Sequence, residues 1–471
     1  AMWNPDSRLA QFFGVDVLRL DVPQLLSGVD LEPDSPFAEA RALAADAWSA
    51  RTTWFLTNGA SQGNRMALMA LRALGDVLVV QRSSHSSLFD GLTMSGLRPE
   101  FVQPTVDAVH GIAHGVTAES VEQRLAELSG RGIRPAAVAV VSPSYFGTVA
   151  DIAAIADVAH RHGVPLMVDA SWGAHFGFHD DVPRSPTEQG ADIVVSSTHK
   201  LGGSLTQSAM LHVCDGDFAD ELEPLLERAF RLTESTSPSS LLLASLDIAR
   251  SQLASGAGAV SASLGAAERL RSAVVAEPML ALADDYFLTL PDVVELDPLH
   301  VVIDVRGLSL TGGEVRARLA REHGVFVEIA TGTAIVALIA PDQPADPAVI
   351  VEALRALGLQ SRPSASSLTI DTALPTPGVS VLTPREAYLA STEWVATEHA
   401  VGRISADMLA AYPPGVPNVV PGETITAEAI AFLERALLSP GGHVRGLSDP
   451  TMRRLRVVRE SVASASQGVA R

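Results

Sequence analysis

The run Ser196-Ser197-Thr198-His199-Lys200 closes a short apolar strand, Asp192-Ile193-Val194-Val195, and leads into Leu201-Gly202-Gly203. A buried lysine amine beside hydroxyls and an imidazole suits one task above others, the capture of an aldehyde as a Schiff base. Taken alone, a His-Lys pair at a strand end reads as a surface pair reaching solvent. Which reading holds depends on what the other strand ends bring to Lys200, because binding sites in open α/β sheets lie beyond the carboxyl ends of the strands.

After the strand expected at 53–56 comes Asn58-Gly59-Ala60-Ser61-Gln62-Gly63-Asn64, directly ahead of a helix. Two glycines let the backbone close around an anion, Ser61 offers a hydroxyl, and a helix start presents free N–H groups. The segment is a phosphate cup or an ordinary strand-to-helix turn; its spacing is not that of a dinucleotide fingerprint. After the strand at 77–80 comes Arg82-Ser83-Ser84-His85-Ser86-Ser87. An imidazole there can stack on a flat ring or pass protons, although by itself it reads as a satisfied surface histidine. After the strand at 164–168 comes Asp169-Ala170-Ser171-Trp172-Gly173-Ala174-His175. A carboxylate ending an apolar strand is costly to bury without a cationic or N–H partner, and a protonated pyridine nitrogen is such a partner. Cup, imidazole, carboxylate and lysine together meet the needs of pyridoxal 5'-phosphate: a phosphate anchor, a ring stacker, a partner for the ring nitrogen and an aldehyde carrier. The joint pattern is far more specific than any one member. His110-x-x-x-His114 has the spacing of a metal pair, but it lacks a metalloprotease glutamate and lies in a Gly-flanked loop, so no metal is expected there.

Alternating strands and helices must bring these four ends together. Residues 1–35 hold Pro5, Pro23 and Pro33 and read as an irregular arm, with a helix over 36–50. Further strands are expected at 136–141 and 192–195. One helix is expected over 65–74 and another over 151–162, the latter capped by Asp151 with Ile152, Ile155 and Val158 on one face. Strands this uniformly apolar, separated by helices, imply an α/β fold with a mostly parallel sheet covered on both faces. Residues 218–290 read as helical, 299–305 and 325–338 as strands of a smaller α/β unit, and 361–367 as a polar linker. The expected organisation is an N-terminal arm (1–46), a large cofactor-binding domain (47–297), a small α/β domain (298–367) and a C-terminal domain (368–471) with a frayed end at 461–471.

Composition bounds the partners. With 47% apolar and 19% charged residues among 471, the chain is globular rather than disordered. A charge of 34 − 54 = −20 argues against nucleic acid or an anionic membrane as partner and leaves room for a small cationic substrate. One cysteine, Cys214, excludes an internal disulfide framework and a cysteine metal cluster, and makes reducing cytoplasm the expected compartment. No signal peptide is expected, since no basic segment precedes an apolar run at the N-terminus, and no apolar stretch approaches the ~20 residues that span a bilayer.

On these residues the chain resembles the fold-type-I pyridoxal-phosphate enzymes, specifically the ornithine/lysine/arginine decarboxylase group of bacterial type. The matching segments are Thr57 to Asn64, Arg82 to His85, Val168-Asp169 with Trp172 to His175, and Ser197 to Lys200. Further matches are Thr236-Ser237-Pro238-Ser239, Ala244 to Asp247, Pro384-Arg385-Glu386-Ala387, Ala400 to Arg403, Tyr412-Pro413-Pro414-Gly415 and Pro421-Gly422-Glu423. They run in family order from about residue 37. The resemblance implies that Lys200 carries the cofactor, His85 stacks on its ring and Asp169 pairs with the pyridine nitrogen. It implies that Ala60, Ser61 and Gln62 with Ser197 and His199 hold the phosphate, that Ser171 and Trp172 lie against the cofactor, and that Thr236 reaches it from a second subunit. A homodimer or a multiple of dimers with shared active sites follows. The implied reaction is decarboxylation of an amino acid, with a basic one (lysine, ornithine or arginine) expected, through an external aldimine and quinonoid; the proton returns to Cα from His85 or Lys200.

Three departures stand out. No Pro-Gly-His-Lys-like segment precedes the first strand, Ala170-Ser171 stands where the family commonly has Glu-Ala, and Thr331-Gly332-Thr333 replaces an acid after the position of Glu328. Ser171 and Thr331 motivate an alternative with the same cofactor: transamination, elimination or oxidative deamination. A cofactor-free binding protein is a third reading, against which the intact Lys200, Asp169 and His85 argue. Glu393, Glu398 and Glu423 are candidates to read a substrate cation.

Overall fold

Strand order decides where the four ends meet. The computed structural model describes residues 4–23, 25–30, 32–341, 346–360, 374–412, 415–440 and 442–460, so the expected linker at 361–367 and the frayed end at 461–471 lie outside the described residues. Seven strands make the main sheet: β1 (Thr52–Leu56), β2 (Val77–Gln81), β3 (Arg98–Val102), β4 (Ala137–Val141), β5 (Leu166–Asp169), β6 (Ile193–Ser196) and β7 (Ala209–Val213). Their order is β1-β7-β6-β5-β4-β2-β3. β7 runs antiparallel to both neighbours and every other pair is parallel. All residues of β2, β4, β5, β6 and β7 are buried, as they must be where helices cover both faces.

Successive side chains along a strand go to opposite faces, and the core divides accordingly. Leu78, Val80, Met167 and Val195 pack with α2 (Gly59–Leu71), α3 (Ser86–Ser95) and α7 (Ala219–Thr233) through Met66, Leu88 and Leu222. Val79, Val138, Val168 and Val194 pack on the other side with α4 (Ala118–Gly130) and α5 (Ile152–Arg161). The cap of α5 is as expected: Asp151 accepts from the Ala154 N–H at 3.0 Å, and Ile152, Ile155 and Val158 are buried.

Local structure departs from expectation in four places. α2 begins at Gly59 rather than at 65, so the cup segment is itself the helix start. The reason is packing: a Cβ at Gly63 would lie 2.8 Å from Val195 Cγ1 and 3.1 Å from Leu56 Cδ1, so glycine lets the first turns press onto β6 and β1. The arm holds two short helices, Arg8–Phe13 and Val15–Leu20, the first capped by Ser7 accepting from the Ala10 N–H at 3.1 Å, ahead of α1 (Pro36–Ala47) where a helix is expected. Helices beyond α7, Ser240–Ser255 and Ala257–Val275, stop before a short strand at Ala281–Leu282. The stretch 325–338 is a hairpin rather than one strand, because Thr331 Oγ1 accepts from the Thr333 and Ala334 N–H groups (3.2 and 3.0 Å) and turns the chain.

A second, antiparallel sheet is ordered Ala281–Leu282, His300–Asp304, Ala334–Leu338, Ile329–Ala330, with a core shared with the helix Ala257–Val275 through Ala266, Leu270 and Val274. Beyond Thr383, the strands Thr392–Ala396 and Arg454–Val458 pair, and Leu409–Tyr412 lies between Pro417–Val419 and His443–Arg445. Among the described residues no helix is long and apolar enough to cross a membrane.

Candidate active site

The carboxyl ends of β2, β4, β5 and β6 and the start of α2 converge. Lys200 stands on α6 (Thr198–Leu201), a single turn directly after β6. Its Nζ lies 3.6 Å from the centroid of the Trp172 ring, a cation–π distance. Burial lowers the Lys200 amine to about 8, against the opposing pull of the Asp169 and Glu328 carboxylates.

Asp169, the last residue of β5, is 2% exposed. Its Oδ2 accepts from Asn64 Nδ2 at 2.8 Å, and its Oδ1 accepts from the Ser171 hydroxyl at 2.5 Å and the Ser171 N–H at 3.1 Å. Among the described residues no cationic side chain forms an ion pair with it. His85 caps α3: its Nδ1 accepts from the Ser87 N–H at 3.2 Å and lies 2.8 Å from Ser87 Oγ. Burial, together with Lys200 and Arg445, outweighs the pull of Asp169 and Asp90 and lowers this imidazole to about 4.

At the cup, Ala60 is buried and Ser61 half-buried in the first turn of α2. Gln62 turns elsewhere: its Nε2 donates to Glu234 at 2.8 Å and its Oε1 accepts from the Asn58 N–H at 3.2 Å. Its backbone N–H remains part of the helix start. The side chains of Ser61, Ser197 and His199 have no hydrogen-bond partner among the described residues, and the Thr198 hydroxyl is buried without one. Burial, reinforced by Lys200, lowers His199 to about 4. Thr236 lies exposed in the bend between α7 and the next helix.

Trp172 is braced from behind. Its ring meets His300 edge-on at 5.8 Å and Tyr145 at 6.4 Å. His300 is held by Asp297 Oδ2 at 2.7 Å, whose Oδ1 lies 3.2 Å from His175 Nε2. Burial works to raise the Asp297 carboxyl, but the two imidazoles hold it far below the usual carboxylate range. Tyr145, in the loop after β4, is 7% exposed, and burial followed by the nearby Asp169 raises its phenol.

Of the acids proposed to read a cation, Glu423 is bound to Arg82 at 3.0 Å, Glu393 to Arg403 at 2.7 Å, and Glu398 stands on the surface near His399. The carboxylate that does act on Lys200, besides Asp169, is the exposed Glu328. His110 and His114 face different partners, their Nδ1 atoms lying 3.2 Å from Thr333 Oγ1 and 3.1 Å from Thr148 Oγ1. Asn64, Ser87 and Tyr145 received no role from the sequence. The signal for Tyr145 was its place after β4, a strand end that carries no charged group; for Asn64 and Ser87 there was none beyond their position inside the motifs.

A parallel sheet with one antiparallel strand, carrying lysine, carboxylate and imidazole at its carboxyl edge, defines a fold-type-I α/β enzyme. The family model described as Orn/Lys/Arg decarboxylase, major domain, matches residues 3–343, and that described as Orn/Lys/Arg decarboxylase, C-terminal domain, matches residues 370–442. An arginine decarboxylase of Bacillus subtilis (strain 168) is 34% identical over 464 residues, covering 97% of this chain and 93% of that protein. The structure of lysine decarboxylase A from Pseudomonas aeruginosa superposes with a TM-score of 0.77 at 22% identity, covering 95% of this chain and 75% of the other. A serine palmitoyltransferase from S. paucimobilis solved with bound PLP shares the fold more distantly, with a TM-score of 0.53 at 16% identity over 74% of this chain and 85% of that one. The chain belongs to the Orn/Lys/Arg decarboxylase family and is a decarboxylase, a lyase.

Proposed function

We propose that this enzyme removes the α-carboxylate of a basic amino acid, with pyridoxal phosphate carried on Lys200. One observation supports this most: a buried lysine amine lowered to about 8 stands beside Asp169, a buried carboxylate held by N–H and O–H donors and, among the described residues, in no ion pair. A protonated pyridine nitrogen is the missing cation. The open hydroxyls of Ser61, Ser197 and Thr198 fit a phosphate at the start of α2, and the exposed Thr236 is available to a second subunit.

When bound, pyridoxal phosphate supplies an aldehyde for the substrate amine and a cationic ring that accepts the electrons of the broken Cα–carboxylate bond. The protein does the rest. Asp169 holds the ring-nitrogen proton, His85 stacks as a neutral imidazole, and Trp172 with Tyr145 keeps water from the ring. Lys200 Nζ, released by the substrate, holds a proton near neutral pH and returns it to Cα; His85, at about 4, is neutral there and its remaining N–H is too weak an acid to do so. Glu328, which has no ion-pair partner among the described residues and lies in the field of Lys200, receives the distal cation of the substrate. The relative named arginine decarboxylase makes arginine the first substrate to try. Ser171 gives no support to another reaction, since its hydroxyl is turned onto Asp169.

Incubation with arginine, lysine and ornithine should release CO2 and one matching amine. No CO2 from any amino acid, or a keto acid as main product, would overturn the reading. Glu328→Gln should raise KM for the basic substrate by about tenfold or more, the scale of a lost charged hydrogen bond, with kcat less affected.

A further inference from the structure

The polar side chains between Asp169 and His85 take no part in the chemistry above, yet they form one continuous buried chain. Asn64 is 1% exposed and Ser87 is fully buried. The Asn64 Nδ2 group donates one hydrogen to Asp169 Oδ2 at 2.8 Å and the other to Ser87 Oγ at 2.9 Å. The opposite amide orientation would set oxygen against carboxylate, so the direction is fixed by charge. Ser87 Oγ, already an acceptor, turns its own hydrogen to His85 Nδ1 at 2.8 Å, where the Ser87 N–H also points. His85 Nδ1 is thereby an acceptor, and the imidazole proton sits on Nε2. At the far end Ser171 donates twice to the other oxygen of Asp169. Close packing of α2 on α3 makes the link reach: a Cβ at Gly91 would stand 3.0 Å from Leu68 Cδ2.

We infer that Asn64, Ser87 and Ser171 are positioning residues that act as one relay, fixing the Asp169 carboxylate through donors on both its oxygens and keeping His85 neutral in its Nε2–H form. The inference rests on the proposed cofactor, and it assigns the half-buried hydroxyl of Ser171 a use. Both ends of the relay meet the two faces of the same problem: Asp169 must keep a ring proton in place, and His85 must stay uncharged against that ring. Loosening Asp169 lets the ring nitrogen lose its proton. The Schiff-base nitrogen at Lys200, relieved of a neighbouring positive charge, then holds its own proton more tightly.

The test follows the visible band of the lysine-bound cofactor rather than turnover. Apoprotein of Asn64→Ala, Ser87→Ala and Ser171→Ala is titrated with pyridoxal phosphate, and the pH midpoint of the band is measured. Each variant should bind about fivefold to tenfold more weakly, the scale of one lost hydrogen bond. The Asn64→Ala/Ser87→Ala pair should do little worse than the poorer single variant, because both break one chain. The midpoint should rise by about one unit in Asn64→Ala and Ser171→Ala. Folded variants with wild-type affinity and midpoint, or strictly additive losses, would overturn the relay while leaving the cofactor reading intact. A wild-type protein with no borohydride-sensitive band would remove both. Should Asn64→Ala fail to fold, Ser87→Ala and Ser171→Ala delete only a hydroxyl each and decide the matter.

Discussion

At neutral pH roughly a tenth of Lys200 amines are free base because burial brings them to about 8, whereas an ordinary lysine near 10.4 leaves fewer than about one in a thousand. The free base is the form that attacks an aldehyde, so the rate of cofactor uptake by apoprotein should climb about tenfold per pH unit and level off above about 8. Stopped-flow absorbance from pH 6 to 10 would show it. A climb continuing to 10 would mean an ordinary lysine, and a step near 6.5 would mean that His85 titrates there, contrary to its lowering to about 4. The lysine, the carboxylate and the imidazole were readable as chemistry because each follows an apolar strand that could be recognised without its neighbours. Asn64 and Ser87 were not, because a buried amide or hydroxyl declares nothing until its partner from another helix is known.

Elements were readable to the extent that local rules governed them. The start of α5 obeys capping and amphipathic spacing, both written in consecutive residues. The start of α2 obeys neither: Gly59, Ser61, Gly63 and Asn64 are weak helix formers, and contact with β6 imposes the helix on them. Gly63→Ala separates the two influences. An exposed glycine in a helix would gain about 1 kcal/mol from the change. Here the new methyl meets Val195 Cγ1 at 2.8 Å inside the core, and overpacking of that kind costs about 1–3 kcal/mol. The clash should win, giving a lower denaturant midpoint and weaker cofactor binding through displaced Ser61. A gain in stability would show that the helix start has room to move.

Across the whole molecule, the C-terminal residues are fastened to the site by a buried ion pair. Arg82, directly after β2, donates to Glu423 at 3.0 Å and to the Pro417 carbonyl at 2.7 Å, with both charged side chains nearly inaccessible. Arg445 adds hydrogen bonds to Ser86 and Asp90 on α3, the helix that His85 caps. Burial disfavours both charges of the pair, lowering the guanidinium of Arg82 and raising the carboxyl of Glu423, and their attraction offsets part of this. Removing one partner is therefore worse than removing both. Arg82→Met leaves Glu423 buried alone, a change that costs about 3–5 kcal/mol, while Arg82→Met/Glu423→Leu should recover most of the loss. The sign with pH follows from the raised carboxyl. The folded state binds the Glu423 proton more tightly than the unfolded state, so stability is gained as pH falls through the raised value and lost as pH rises. Without Arg82 that rise grows, and the deficit of the single variant should be widest at pH 7 and narrow towards pH 5. Urea midpoints at the two pH values measure it. A deficit independent of pH would mean that Glu423 is rehydrated once Arg82 is gone, and that the C-terminal residues have come away from β2 and α3 rather than staying docked around a protonated acid.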